Sequence, residues 1–362
     1  MNILFRADAS KKIGTGHIMR CLTLANELKK QGENTIFCSR HLTESLEQIL
    51  DTENHQLIRL KDKDKLHRSV LGDQYSTWLE TRQAFDAEEM LNRIDINTID
   101  WIIVDHYALD SHWHHKVNTN NKNIKMLVIN DLFDKSHHCD LFLNQNIVLN
   151  HSSAYDNLLD KHVEKLIGPK YALLRDEFSH YRSAVGIRNT GVKNILVFFG
   201  GIDINNVTGK TLFALSQVEH ENLAVKVVIG AMHPKIVELK ELCDVLGFKL
   251  HVQVDNMAEL MCWADLSIGA SGSASWERSC LGLPALIMTL ADNQVAIAFA
   301  GERAGIMSYL GKDEELTIAD ITHAISNLCN NPDKLSRMSE ACFETTDGDG
   351  KQRVIERIRA LS

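Results

Sequence analysis

The sequence predicts an α/β protein with two doubly wound, parallel-sheet domains, and three observations support this prediction. Short apolar runs of strand length alternate with stretches of helical periodicity along the whole chain. The apolar runs are continuous and do not alternate with polar residues, which is typical of parallel strands that are covered on both faces. A strand followed by a glycine loop and a helix occurs near the start of the chain and again near residue 195. These features indicate strand–helix–strand units with right-handed crossovers in two similar domains.

Five apolar runs in each half of the chain define the predicted strands. The runs in the first half are Ile3–Ala7, Thr35–Cys38, Trp101–Val104, Met126–Ile129 and Leu141–Leu143. The runs in the second half are Ile195–Phe199, Val225–Ile229, Lys249–Val254, Leu266–Ile268 and Ala285–Met288. Between the first two runs, apolar residues recur at steps of three and four, which predicts a helix beginning near His17.

The domain boundary is predicted within the polar stretch that follows residue 167. We therefore expect an amino-terminal domain over residues 1–175 and a carboxyl-terminal domain over residues 190–362. Two such domains facing each other would form a cleft at the carboxyl ends of both sheets, where open α/β sheets bind ligands.

Composition narrows the class of protein. Of 362 residues, 44% are hydrophobic and 24% charged, as in soluble globular proteins. Lys and Arg total 39 against 48 Asp and Glu, and this net charge of −9 disfavours nucleic acid as a partner. An anionic small ligand remains compatible, because helix N-termini and glycine loops bind phosphate without net positive charge.

Cysteine spacing and the first residues predict the compartment. The eight cysteines contain no CxxC pair, which fits reduced thiols in a cytoplasmic protein. Arg6 and Asp8 follow the first apolar run, so we expect no signal peptide. Apolar stretches are shorter than a membrane span. We therefore expect a cytoplasmic monomer without stable membrane insertion.

The first candidate site is the loop Gly14-Thr15-Gly16-His17, between a strand and a helix. Glycines allow close approach of a ligand, and the following helix presents free N–H groups. An imidazole at a helix N-terminus favours its neutral form, which could accept a proton near neutral pH. From position alone, the more common role of such a histidine is to cap the helix or to pack against the sheet.

Two further glycine loops follow strands in the second half. Gly200-Gly201-Ile202-Asp203 resembles a phosphate-binding nest but lacks the Gly-Lys-Ser/Thr ending of a P-loop. The segment from Ser271 through Gly272 and Ser273 to Glu277 is the densest candidate, since a carboxylate in that position can accept hydrogen bonds from ribose hydroxyls. The alternatives are an ordinary strand-to-helix turn and a first-turn glutamate favoured by the helix dipole.

Polar residues also follow other predicted strands. Asp105-His106-Tyr107 ends the buried strand that begins at Trp101. Asn293 and Gln294 open a helix and offer amides to sugar hydroxyls. The histidines lack the spacing of a zinc protease, so neither a metal nor another cofactor is predicted. Several polar groups at carboxyl strand ends indicate a polar ligand.

Seven segments of the chain together match a known family. They are RADASKKIGTGHIMRCLTLA, VDHYALDSHW, HHCDLFLNQN, GPKYALLRDEF, VFFGGIDINN, NMAELMCWADLSIGASGSASWERSCLGLP and ADNQ. They occur in one order and cover both predicted domains. With these segments the chain resembles the UDP-2,4-diacetamido-2,4,6-trideoxy-β-L-altropyranose hydrolases of bacterial pseudaminic acid biosynthesis. The sequence departs from the family pattern at Asn130, Asn144, Glu80 and Ala274 and keeps the histidine and Ser-Trp-Glu motifs.

The resemblance implies a GT-B fold with two Rossmann-like domains facing a cleft, similar to the peptidoglycan N-acetylglucosaminyltransferase that makes lipid II. It implies that His17 is the catalytic residue and that the carboxyl-terminal domain binds UDP. The implied substrate contacts on UDP are Gly201 and Ser273 at the diphosphate, Glu277 at the ribose, and Asn256 and Met257 near the uracil. Asn293 and Gln294 would face the sugar.

The implied reaction is hydrolysis of the UDP-sugar to UDP and the free sugar, with inversion at the anomeric carbon. UDP is a good leaving group, so the catalytic task is to activate one water. A GT-B glycosyltransferase that passes the sugar to an acceptor is the alternative, since an acceptor alcohol attacks the same carbon as water. A non-catalytic sensor of nucleotide sugars is a third hypothesis.

Overall fold

A computed structural model describes residues 1–10, 12–61, 75–121, 123–149, 153–219 and 223–362. The chain divides into two compact units, one formed by Met1–Leu173 with Gly350–Ser362 and the other by Leu174–Asp349. The predicted boundaries, 1–175 and 190–362, differ from this division at both ends of the second domain. Residues 174–189 belong to the second unit, and residues 350–362 return to the first.

In the described part of the first unit, seven parallel strands form one sheet in the order β3-β2-β1-β4-β5-β6-β7. The strands are β1 (Asn2–Ala7), β2 (Asn34–Ser39), β3 (Gln56–Arg59), β4 (Trp101–Asp105), β5 (Lys125–Ile129), β6 (Leu141–Asn144) and β7 (Glu164–Ile167). The inner strands are almost completely buried, which explains their continuous apolar sequences.

Helices cover both faces of this sheet. They are α1 (Gly16–Lys30), α2 (Glu44–Thr52), α3 (Ser76–Leu79), α4 (Gln83–Arg93), α5 (Ser111–Asn118) and α14 (Gly350–Ala360). The core on one face contains Leu24 and Leu28 of α1 together with Val354, Ile355 and Ile358 of α14. Because these α14 side chains fill a gap beside α1, the last helix completes the first unit instead of the second.

The described part of the second unit has a six-stranded parallel sheet in the order β10-β9-β8-β11-β12-β13. The strands are β8 (Asn194–Phe198), β9 (Ala224–Ile229), β10 (Lys249–Val252), β11 (Leu266–Gly269), β12 (Ala285–Thr289) and β13 (Met307–Lys312). The helices are α6 (Asp176–Arg182), α7 (Val207–Leu215), α8 (Ile236–Leu246), α9 (Met257–Trp263), α10 (Ser273–Cys280), α11 (Asp292–Arg303), α12 (Ile318–Cys329) and α13 (Pro332–Thr345).

All ten predicted strands are present, and the structure adds β3, β7 and β13. These three strands lie at sheet edges and are mostly half-buried, so their sequences lack the continuous apolar run used to find the others. Across the described ranges, no helix combines the length and the apolar character needed to cross a membrane.

The strand order changes direction between β1 and β4 in the first sheet and between β8 and β11 in the second. Ligands of open α/β sheets bind beside such a reversal, at the carboxyl ends of the strands. The Gly14–His17 loop follows β1, and the other two predicted glycine loops follow β8 and β11. The fold therefore puts each predicted loop at the expected edge of its own sheet.

Candidate active site

His17 lies in the first turn of α1, beside the carboxyl end of β4. Its ring is nearly buried, with 7% exposure. Nδ1 is 2.5 Å from Oδ1 of Asp105, the last residue of β4. Because a carboxylate accepts hydrogen bonds, this contact puts a proton on Nδ1 of neutral His17. Within the described structure, Nε2 makes no hydrogen bond to the protein and keeps its lone pair.

Asp105 also holds Arg20, one turn further along α1. Oδ2 accepts from Nε of Arg20 at 2.5 Å and Oδ1 accepts from its terminal nitrogen at 2.7 Å. Burial opposes ionisation of this carboxyl, but the charges and hydrogen bonds of Arg20 and His17 hold the pKa of Asp105 well below its usual range. Asp105 is thus a buried carboxylate that fixes the imidazole in one orientation.

Asp131 and Tyr107 extend this network. Oδ2 of Asp131 accepts from Arg20 at 2.8 Å and from the hydroxyl of Tyr107 at 2.7 Å. The Tyr107 ring meets the His17 ring edge-on, with centroids 4.6 Å apart, and stacks on Trp78 at 5.6 Å. The predicted Tyr107 is therefore next to His17, although its hydroxyl is already bonded to the protein.

The glycines of the first loop close a tight turn ahead of His17. The N–H of Gly14 donates to the carbonyl of Ser10 at 2.8 Å, and Gly16 is exposed at the start of α1. The loop brings His17 close to β4 while leaving exposed backbone beside it.

A second buried ionic group lies at the carboxyl ends of β1 and β2. Arg6 bonds Asp8 and Asp86, with 0% exposure for all three side chains. Asp8 also accepts from the backbone N–H of Arg40 at 2.7 Å, joining the loops after β1 and β2. Burial opposes ionisation of Asp8, but Arg6 and His106 hold its pKa far below the usual range. This group belongs to the supporting structure.

In the second unit, the loops after β8 and β9 meet with their backbones in contact. A Cβ added to Gly230, directly after β9, would lie 2.1 Å from the carbonyl oxygen of Gly201. Only glycine fits there, because a backbone carbonyl, unlike a side chain, has no other rotamer to adopt. The predicted Gly201 is exposed and therefore accessible to a ligand.

Asp203 has a structural position that the sequence did not predict. Its oxygens accept from the N–H groups of Val207 at 3.0 Å and Thr208 at 2.7 Å, at the start of α7. The side chain is 1% exposed. The buried Asp203 carboxylate therefore caps α7, and its predicted substrate contact stays a prediction.

The loop after β11 contains the predicted Ser271, Gly272 and Ser273. The Ser271 hydroxyl donates to the carbonyl of Gln294 at 2.8 Å, and the side-chain oxygen of Gln294 accepts from the N–H of Leu290 at 2.9 Å. Gly272 has φ +147°, a conformation that favours glycine. Ser273 is exposed at the first turn of α10, as is Asn293 in the first turn of α11. The loops after β11 and β12 thus form one connected surface.

Glu277 is linked to the start of α9 through α6. Arg175 lies 2.7 Å from Glu177 and 3.8 Å from Glu277. Glu177 in turn accepts from the N–H of Ala258 at 3.2 Å. Burial raises the pKa of Glu277, and Arg175 opposes that effect. The Glu277 side chain thus has one cation beside it, Arg175, and remains 19% exposed.

The remaining predicted residues begin α9. Met257 is buried at 5% exposure, while Asn256 is exposed and donates to Glu259 at 2.7 Å. Since Ala258 follows them directly, both residues belong to the same linked group as Glu277. Among the described residues, no three His, Cys, Asp or Glu side chains are placed to hold a metal ion.

Two relatives are similar to this chain over most of its length. A UDP-2,4-diacetamido-2,4,6-trideoxy-β-L-altropyranose hydrolase from Campylobacter jejuni is 27% identical over 72% of this chain and 81% of its own. An uncharacterised protein from Methanocaldococcus jannaschii, MJ1062, is 27% identical over 80% of this chain. The match spans 55% of the archaeal protein's length. No family model matches the chain.

Solved structures decide the fold. The crystal structure of Acinetobacter baumannii MurG superposes with a TM-score of 0.65 at 14% identity, covering 99% of both chains. The fold is GT-B. LpCGTa in complex with UDP gives a TM-score of 0.67 at 11% identity, covering 100% of this chain and 99% of its own. The predicted resemblance, in fold and in sequence, is confirmed.

The structure adds residues beside the predicted ones that the sequence did not single out. Asp105 bonds His17 and Arg20, Asp131 bonds Arg20, and Arg175 and Glu177 lie beside Glu277. Four of these residues lie within the quoted segments RADASKKIGTGHIMRCLTLA, VDHYALDSHW and GPKYALLRDEF, and Asp131 lies two residues after a predicted strand, which is the only signal that the sequence offers for them. Their partners lie as far as 111 positions away in sequence, so only the fold reveals the pairing.

Proposed function

We propose that this protein is a nucleotide-sugar hydrolase that cleaves UDP-2,4-diacetamido-2,4,6-trideoxy-β-L-altropyranose to UDP and the free sugar. The observation that carries the proposal is the buried hydrogen bond between Asp105 and Nδ1 of His17. It leaves Nε2 as a base at the edge of the sheet where GT-B proteins bind substrates. Similarity to the Campylobacter hydrolase supports the choice of reaction and substrate.

In this proposal the second unit binds the nucleotide. Backbone N–H groups of Gly201 and of the Ser271–Ser273 loop bind the diphosphate, since helix N-termini and glycine loops suit anions. Glu277 accepts from the ribose hydroxyls, and Asn256 and Met257 flank the uracil. Asn293 and Gln294 contact the sugar. UDP bound to a neighbour of the same fold supports this assignment.

His17 of the first unit acts as the general base in the proposed mechanism. Nε2 removes a proton from water as the water oxygen bonds to the anomeric carbon, on the face opposite UDP. The bond between that carbon and the β-phosphate oxygen breaks, and its electron pair leaves with UDP. Asp105 stabilises the imidazolium that forms, and Tyr107 keeps the ring in place. Attack from the opposite face inverts the configuration.

The deciding experiment supplies the UDP-sugar without an acceptor and follows free sugar and UDP by mass spectrometry. His17→Gln should lower kcat by about 10²–10⁴-fold, the usual contribution of general base catalysis, with unchanged UDP affinity. His112→Gln is the control, because the His112 side chain is 87% exposed. Full activity of the His17 variant would exclude His17 as the base.

A GT-B glycosyltransferase is the second candidate, favoured by the structural similarity to MurG. Water and an acceptor hydroxyl would use the same base and the same leaving group. An absolute requirement for an added acceptor would decide for transfer, whereas turnover in water alone would decide for hydrolysis.

The proposal extends to the cellular setting. The free sugar would be consumed in pseudaminic acid biosynthesis, where a later synthase condenses it. We infer a monomer in the cytoplasm, where nucleotide sugars are made. Size-exclusion chromatography with light scattering, run with and without UDP, tests the oligomeric state.

A further inference from the structure

Arg278, in the last turn of α10, turns its side chain back toward the beginning of that helix. One terminal nitrogen donates to the carbonyl of Ala270 at 2.8 Å and to Oγ of Ser275 at 3.2 Å. The other, Nη1, lies 3.4 Å from where a Cβ on Gly269 would be. Long helical side chains point toward the helix N-terminus, which explains this course. The guanidinium therefore lies directly beneath the loop after β11.

This cation is buried without an acid bonded to it. Arg278 is 1% exposed, and its Nε and Nη1 have no hydrogen-bond partner anywhere in the described chain. The adjacent Glu277 instead lies near Arg175. Burial lowers the pKa of Arg278 to about 10, and Glu277 opposes this only in part. An unpaired buried charge destabilises a fold substantially, so its position calls for a compensating ligand.

A second positive field acts on the same loop. The N-terminus of α10 begins at Ser273, and helix N-termini carry partial positive charge. In the protein alone, this field and the guanidinium repel each other across the Ala270–Gly272 backbone. The helix N-terminus and the guanidinium both attract an anion bound at the loop, and this attraction offsets their mutual repulsion.

We propose that Arg278 is a buried electrostatic anchor that gives the loop after β11 its affinity for the diphosphate of a nucleotide. The inference rests on the proposed function in taking UDP as the ligand. Arg278 acts on the phosphates through the field across the loop backbone and is a positioning residue. A unit charge at several ångströms in a partly buried site changes affinity about tenfold to a hundredfold.

The test compares UDP with uridine, which has the same base and ribose without phosphate. Calorimetry is performed on the full-length protein and on the neutral variants Arg278→Met and Arg278→Gln, with Arg278→Lys as the charged control. The neutral variants should lose at least tenfold in UDP affinity with unchanged uridine affinity. Arg278→Lys should keep the ratio of the two affinities within about threefold.

Other outcomes would overturn the proposal. A folded neutral variant that binds UDP as the wild type does would show that the charge has no role. Equal losses for UDP and uridine would indicate a purely structural role for Arg278. If neither neutral variant folds, the deciding measurement is NMR of the wild type labelled with ¹⁵N-arginine. UDP, but not uridine, should shift the Arg278 Nε resonance, and the absence of a shift would refute the proposal.

This experiment also separates the inference from the proposed function. Wild-type protein that binds UDP but does not hydrolyse the UDP-sugar would refute the proposed hydrolase activity. The comparison of UDP and uridine affinities would still test the role of Arg278. Hydrolysis that persists with normal UDP affinity in the neutral variants would refute the role of Arg278 alone.

Discussion

Replacing Asp105 with asparagine tests whether His17 depends on a carboxylate for its function. The wild-type carboxylate accepts from Nδ1 of His17 and twice from Arg20. Asparagine keeps the shape but removes the charge and offers an N–H₂ group to one of these donors. Its amide can donate to Nδ1, which would move the ring proton to Nε2 and remove the base.

The size of the effect follows from the contacts. A full opposite charge about 4 Å from the imidazole is worth about 4 kcal/mol at the effective dielectric constant near a protein surface. Arg20 bonds the same carboxylate, so the net stabilisation of the imidazolium is smaller than this. The change of tautomer adds to this, so kcat should fall about 10³-fold in total. Leaving Arg20 buried with only Asp131 should lower the free energy of unfolding by about 3 kcal/mol.

The assay is UDP release as a function of pH, with Asp131→Asn as the matched control. Asp131 bonds Arg20 and Tyr107 but does not contact His17, so its variant should lose less than tenfold in kcat. Equal kcat losses in the Asp105→Asn and Asp131→Asn variants would refute the reasoning.

Three further predictions concern the supporting structure. Burial lowers the pKa of His137 to about 4, so it contributes stability that is complete above about pH 6.5 and is lost as pH falls toward 4, by about 3 kcal/mol. Urea unfolding of His137→Gln should show a smaller loss over that interval, while His112→Gln, at an exposed position, should match the wild type. Gly230→Ala should weaken UDP binding at least tenfold by calorimetry because its Cβ meets backbone, whereas Gly186→Ala, with open space around it, should bind normally. Asp203→Ala should lower the free energy of unfolding by about 1–2 kcal/mol through loss of the helix cap and change UDP affinity less than threefold; a selective loss of UDP binding would restore it as a ligand contact.

The inner strands and the loops that follow them were predictable from sequence because each leaves a local signal. A buried parallel strand reads as an apolar run, and the following loop is rich in glycine and small polar residues. The edge strand β13, with its half-buried residues, leaves no such run. Burial on both faces is thus the stronger signal, although the edge strand β10, which is only partly buried, was also predicted.

The candidate site was predictable in its loops but not in its pairings. His17 stands out because it follows a glycine loop, whereas its partner Asp105 lies 88 positions later and is brought near by the pairing of β1 with β4. Asp203 shows the opposite case. Its location after two glycines suggested a ligand contact, but the first turn of α7 folds back onto its carboxylate. Such distinctions depend on tertiary contacts that a local pattern does not contain.

The return of α14 to the first unit has a consequence for how the chain folds during synthesis. Val354, Ile355 and Ile358 belong to the core that also contains β1 and α1, and Trp101 donates to the hydroxyl of Ser362 at 2.8 Å. The unit formed by Leu174–Asp349 is continuous and can close as soon as it is made. The unit that is translated first must keep part of its core open to solvent until residues 350–362 emerge. The earlier part of the chain is thus the later to finish folding, and a fragment that ends at residue 173 should expose apolar surface and aggregate.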